Sequence, residues 1–275
     1  MSNTPVRTDR ARAHDGRAAA FTLVEVLVVS GVVAVLLSIL LPSLTSARRS
    51  ARTVVCGSNI RQLAAASHYY AQENDQTYCP GAAGFLRNLH RWHGTRDRPG
   101  DAFDPSRGPL VGYLGQDGAI RRCPSFPIDE IAALSGGFER GNGGYGYNNA
   151  YIGVRLAPYP AGTYVVRDDR TGAKVDRVRR PGETVLFTDS AFVSGGLIEY
   201  SFAEPRYHPQ YTDVRALPSI HFRHRERANV AWCDGHVDAQ ERTFTHNSPF
   251  YSGDPERYDI GWFGQSDDNR LFDLN

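Results

Sequence analysis

Near the C-terminus, His221, His224, Asp234 and His236 carry side chains that readily bind a divalent metal, and Asp189 in an upstream apolar segment adds a carboxylate. A hydrolytic zinc site needs two or three such ligands plus an open position. The usual companions of such chemistry are missing: the chain has no HExxH pair, no GxSxG turn and no phosphate-binding glycine loop. The reading favoured for His224 is structural, a hydrogen bond to Asp234 or to backbone that fixes a hairpin. No catalytic residue and no metal ligand is expected, and the chain is expected not to be an enzyme. His90 and His93 lack a third partner nearby. Asp254, Asp259, Asp267 and Asp268 match no EF-hand spacing. They read as solvated surface, with a calcium site as the alternative.

The four cysteines, Cys56, Cys79, Cys123 and Cys233, form no CxxC pair, which argues against a zinc knuckle. Cys56 is read as a packed thiol, with a disulfide to Cys79 or Cys123 as the alternative. The remaining reactive group is Glu25, in "AAAFTLVEVLVVSGVVAVLLSILLPSL" at 18–44. It is the only charge between Ala18 and Ala47. As a helix, Phe21–Leu41 would span roughly 30 Å, the thickness of a bilayer core. The run is longer than the apolar region of a signal peptide, so the simplest alternative is a plain signal anchor. Neither explains Glu25. A carboxylate inside a spanning helix costs a few kcal/mol and calls for a partner.

The order of residues supplies one. Arg7, Arg10, Arg12 and Arg17 form a basic leader, Ala20 precedes Phe21-Thr22-Leu23-Val24-Glu25, and the apolar run follows with Pro42 inside it. This resembles the N-terminus of type IV pilins and type II secretion pseudopilins, with Ala20 standing where the family has Gly. The resemblance implies prepilin peptidase cleavage between Ala20 and Phe21 and N-methylation of Phe21. It also implies filament assembly through Glu25, which pairs with the N-terminal amine of a neighbouring copy, and a helix bend at Pro42. "CGSNIRQLAAASHYYAQENDQTYCP", "RRCPSFP" and His224 followed after nine residues by Asp234-Gly235 resemble further segments of one large bacterial pilin-like family. The partners implied are other copies, related pilin-like subunits, prepilin peptidase, the assembly machinery and the inner membrane.

Several elements must position these groups. Past Pro42, Cys56, Ile60, Leu63, Ser67 and Tyr70 make one stripe at helical spacing, while Arg48, Arg49, Arg52, Arg61 and Gln62 lie elsewhere. One helix of about fifty residues is expected, ended by Asn74-Asp75. Residues 80–127 read as mostly irregular, "LRNLHRWHG" (86–94) as a short helix and "IDEIAAL" (128–134) as a helical turn. "GGYGYNNAYIGV" (143–154) reads as a buried Tyr/Asn loop over a sheet. "TYVVR" (163–167), "TVLFTDS" (184–190) and "LIEYS" (197–201) read as strands. Asp234-Gly235 between apolar arms predicts a two-residue hairpin turn within 228–239.

The net charge of +1 gives no basic surface for nucleic acid. The fold class expected is α+β: a long helix packed on a mainly antiparallel sheet with irregular insertions. The division expected is a leader 1–20, a helix 21–75 spanning a membrane at 21–41, and a head 76–275 in the periplasm or outside the cell. The function expected is a structural filament subunit. The alternatives are a membrane-anchored binding protein that does not polymerise, or a metal-dependent periplasmic enzyme.

Overall fold

The computed structural model of the chain describes residues 22–115, 120–127, 139–159, 163–211, 213–247 and 253–275. The leader and the "IDEIAAL" segment lie outside them. Helix α1 runs Leu23–Glu73 and includes Pro42. Asn74 ends it by donating Nδ2 to Tyr70 O at 2.8 Å, and the chain then turns through Asp75 and Gln76, both at φ 54°. The contacts divide the chain within the helix, between Ala47 and Arg48, so the helix from Arg48 onward belongs with the head.

In the first unit, every described side chain from Thr22 to Ala47 is exposed. The helix is long and apolar enough to cross a membrane. In the second unit, Cys56, Ile60, Leu63 and Ser67 are buried, Tyr70 is half-buried, and the arginines named above are exposed, as the stripe requires. Ala64, Ala66 and Ala71 widen the buried face with small side chains.

The head is antiparallel. Its strands are β1 His90–Arg91, β2 Gly94–Thr95, β3 Tyr145–Tyr147, β4 Arg155–Tyr159, β5 Thr163–Asp168 and β6 Val185–Asp189. They continue as β7 Phe192–Val193, β8 Leu197–Ile198, β9 Ile220–His221, β10 Arg227–Trp232, β11 Val237–Glu241 and β12 Ile260–Gly261. The main sheet has the order β11-β10-β6-β3, and the other strands pair two by two. All five residues of β6 are buried, as its nearly continuous apolar run predicts for a strand covered on both faces. Edge strand β11 carries Asp238 and Glu241, charges that discourage pairing with a further strand. Together the strands and α1 make the expected α+β fold.

Tyr145 and Tyr147 in β3 are fully buried. A Cβ on Gly146 would sit 2.5 Å from Phe202 O, so the small residue between them lets another backbone approach. Asn148 closes the loop by donating to Val185 O at 2.9 Å and Phe272 O at 2.8 Å.

Three local expectations need correction. The stretch 86–94 is not a helix: Phe85–Arg87 makes one 3-10 turn, and β1 and β2 then form a hairpin that buries Trp92. Of "LIEYS", only Leu197–Ile198 is strand. The β10–β11 turn closes through Trp232 N to His236 O at 3.0 Å, leaving Cys233, Asp234 and Gly235 as the loop. Of these three only Gly235 has positive φ, 91°, so a two-residue type I′ turn is ruled out. Gly235 N donates to Trp232 O at 2.9 Å, the pattern of a three-residue loop closed by a left-handed glycine.

Candidate functional site

Two groups of side chains stand out, one in each unit. At the start of α1, Thr22 N and Thr22 Oγ1 both donate to Glu25 Oε2 at 2.8 Å, and Glu25 N donates to Thr22 Oγ1 at 3.2 Å. This is a reciprocal capping box: the side chains of residues three apart satisfy amides that the first helical turn leaves open. The Thr-x-x-Glu spacing was visible in the sequence, but its capping role went unread beside the apolar run.

The second group is buried between α1 and the sheet. Cys56 comes from the stripe of α1, Cys123 from the Cys-Pro-Ser loop, Asp189 from the end of β6, and His224 from the turn before β10. One donor atom from each of the four lies within 4.8 Å of the other three. This buried set can hold a metal ion. Cys56 Sγ donates to Asp189 Oδ1 at 3.1 Å, and His224 Nε2 lies 3.5 Å from Cys123 Sγ and 3.4 Å from Asp189 Oδ2. Around them, Arg223 Nη2 donates to Asp189 Oδ1 at 2.6 Å, Asn229 N donates to Oδ2 at 2.7 Å, and Thr53 Oγ1 meets His224 Nδ1 at 3.3 Å. Asn59 Nδ2 donates to Tyr145 OH at 3.1 Å and fixes the helix against β3.

The electrostatics follow from these contacts. Burial alone would raise the Asp189 carboxyl, but Arg223, His224 and the Asn229 amide outweigh it and hold the group below the usual carboxylate range. Burial would lower His224, yet its contacts with Asp189 and Cys123 lift it to about 9. Contact with Cys56, aided by Arg223 and His224, favours the Cys123 thiolate against burial and holds it below the usual thiol range. Burial, followed by the bond to Cys123, pushes the Cys56 thiol up.

The cluster does not make a catalytic triad. Cys123 and Asp189 both face the same nitrogen, His224 Nε2, whereas a triad needs the carboxylate on the opposite one. All four residues are buried.

The structure joins some of the residues expected at a site and separates others. His224 does not bond Asp234; it meets Asp189, Cys123 and Thr53 instead. Asp234 accepts from His236 N at 3.0 Å and pairs with the His236 ring at 2.6 Å. His221 Nδ1 bonds Arg223 at 2.9 Å. His90 is exposed, while buried His93 bonds Ser201 Oγ at 2.8 Å. Asp267 is taken up by Arg215 at 2.9 Å and Tyr207 at 3.0 Å, and Asp268 by Arg270. Among the described residues, the C-terminal aspartates form no metal-binding group. All four cysteines are buried and free; Cys56 and Cys123 meet in the cluster, and Cys79 is not part of it. Ala20 and Phe21 lie outside the described residues. The part of the cluster missed in the sequence is its pairing of two cysteines with Asp189 and His224; these last two were visible as candidate ligands, but not their meeting with Cys56 and Cys123.

Comparison of the chain with protein-family models, curated proteins and solved structures gives no match.

Proposed function

We propose that the chain is a filament subunit of the type IV pilin-like or type II secretion pseudopilin kind. In this reading prepilin peptidase cuts before Phe21, the new amine is methylated, and the apolar half of α1 resides in the inner membrane before packing into a filament. The head faces the periplasm or the exterior, and the partners are further copies, related subunits and the assembly machinery. The reaction is assembly; no enzymatic step and no nucleic acid is involved.

The observation that carries the reading is the start of α1: a capped Thr22–Glu25 turn leading into an apolar helix whose side chains are all exposed through Ala47. Such a surface calls for lipid or other helices around it. Both Thr22 bonds fall on Glu25 Oε2, so the cap leaves Oε1 for an amine from a neighbouring copy. The test separates capping from charge. Glu25→Gln keeps a side chain that can cap and removes the carboxylate, whereas Glu25→Ala removes both. Both variants should insert in membranes and fail to assemble, read as loss of the cross-linking ladder between single cysteines placed along 25–45. A normal ladder from Glu25→Gln would reduce Glu25 to a cap and remove the role assigned to it.

A second reading has one observation of its own. A groove of about 250 Å³ in the head is lined by Phe85, Leu156, Tyr164, Val166, His208 and Tyr211. An anchored binding protein that does not polymerise would use such a groove and would give no ladder even with Glu25 intact.

A further inference from the structure

We propose that Cys56, Cys123, Asp189 and His224 form a closed zinc site that fastens helix α1 to the head. A tetrahedral zinc ion with ordinary bond lengths separates its ligand atoms by about 3.3–3.8 Å. With Asp189 Oδ2 as the carboxylate ligand, the separations of 3.4 Å from it to His224 Nε2 and 3.5 Å from His224 Nε2 to Cys123 Sγ are already on that scale, and Cys56 Sγ reaches the other oxygen, Oδ1, at 3.1 Å. With all four donor atoms within 4.8 Å of one another, only small movements would close them on an ion.

The donors choose the metal. Two sulfurs disfavour calcium and magnesium, which take oxygen ligands, and a mixed sulfur, nitrogen and oxygen set in a tetrahedron suits zinc. The surroundings match what a metal site needs outside its ligands. Thr53 Oγ1 sits 3.3 Å from the distal nitrogen of His224 and fixes the ring, while Arg223 and the Asn229 amide orient the carboxylate at 2.6 and 2.7 Å. Charge also balances. Two thiolates and the Asp189 carboxylate are cancelled by a dication and the Arg223 guanidinium, so the buried ensemble carries no net charge and avoids the penalty of an unpaired ion.

The role is structural. Four protein ligands fill the coordination sphere and all are buried, which leaves no position for substrate. The ligands come from four segments spread from residue 56 to residue 224. One ion would tie the helix, the Cys-Pro-Ser loop, the end of β6 and the turn before β10 into a single unit. The rival use of the same proximity is a Cys56–Cys123 disulfide, which would engage two of the four convergent donors.

The test uses the full-length chain purified from membranes in detergent, with neither chelator nor reductant. Plasma mass spectrometry should find about one zinc per chain. After chelator stripping, added Co²⁺ should give thiolate-to-cobalt charge transfer and the intense visible bands of a tetrahedral ion, and added Zn²⁺ should raise the melting temperature. Cys123→Ser should weaken Co²⁺ binding about tenfold or more. Cys233→Ser, at a buried thiol outside the cluster, should leave it unchanged. Because Cys123→Ser places a hydroxyl in the core, the wild-type spectrum carries the decision independently of that variant. A metal-free protein that takes up no Co²⁺, a Cys56–Cys123 disulfide recovered from unreduced peptides, or full metal retention in Cys123→Ser would each overturn the site.

Discussion

The two halves of helix α1 share one secondary structure and face different surroundings. From Thr22 to Arg52 every side chain is exposed, and most up to Leu44 are Val, Leu or Ile on all sides of the helix. From Cys56 to Ala71 most of the apolar and small residues gather on one buried face, and the one charge, Arg61, is exposed with Gln62. A helix that is apolar all round has no preferred neighbour within its own chain, whereas a striped helix has a sheet on one side. The partner of the second half can therefore be named residue by residue. The first half, exposed throughout, is long and apolar enough to cross a membrane.

The sharpest way to break this comparison is to place one carboxylate in each half. Ile60→Asp should cost the head about 4 kcal/mol or more, because Ile60 is fully buried and a charge there has no partner. Val33→Asp should leave head stability within about 0.5 kcal/mol and instead weaken membrane insertion by about 2.5–3.5 kcal/mol. All three tryptophans, Trp92, Trp232 and Trp262, lie in the head, so their fluorescence melt reads that unit alone. Equal melting losses from the two variants would erase the distinction between the halves.

A middle-sized effect is set by pH. Burial raises the Glu204 carboxyl to about 7, although Tyr200 donates to it at 2.8 Å. The folded state therefore keeps a proton that the unfolded chain gives up near its ordinary value. The stability this contributes is fully present below about 4.5, declines as pH rises, and is gone above about 7; it amounts to about 1–3 kcal/mol. Urea melts across this range should show the decline, with helix 48–73 lost together with the head. Glu204→Gln should flatten it; an unchanged slope would remove Glu204 as its source.

The smallest effect is local to the first half. Thr22→Ala should cost about 0.5–2 kcal/mol of helix-end stability. Amide exchange should quicken at residues 23–26 while the tryptophan melt stays in place. A shifted melt would tie the cap to the head and blur the comparison from the other side.

What could be read in the sequence follows the same division. Periodicity and apolar length are local properties, so the long helix, its stripe and its end near Asn74 were legible, as was β6. The burial of the Tyr/Asn segment was legible too, but not its conformation: Tyr145–Tyr147 is an edge strand of the main sheet where a loop over the sheet was expected, because its backbone pairs with β6. Stretch 86–94 misled because its helical spacing is overridden by the burial of Trp92, a tertiary effect. The hairpin was placed correctly, but its turn depends on whether Asp234 takes positive φ, which Asp-Gly alone does not decide. For the cluster, His224 and Asp189 had been singled out, and Cys56 and Cys123 had been weighed as a disulfide. Their convergence has no local signature, since it depends on closing the chain over the distance from residue 56 to residue 224.

The cysteines have a consequence for labelling chemistry. The chain carries four thiols and presents none of them to solvent. Burial pushes Cys79 up to about 12 and Cys233 higher still, so at neutral pH both remain protonated and poor nucleophiles. Cys56 and Cys123 lie behind the same packed wall. To a maleimide or a bifunctional cross-linker the native surface is silent. A cysteine introduced at one exposed position of α1 would then be the single addressable handle on the molecule, with every native cysteine left in place.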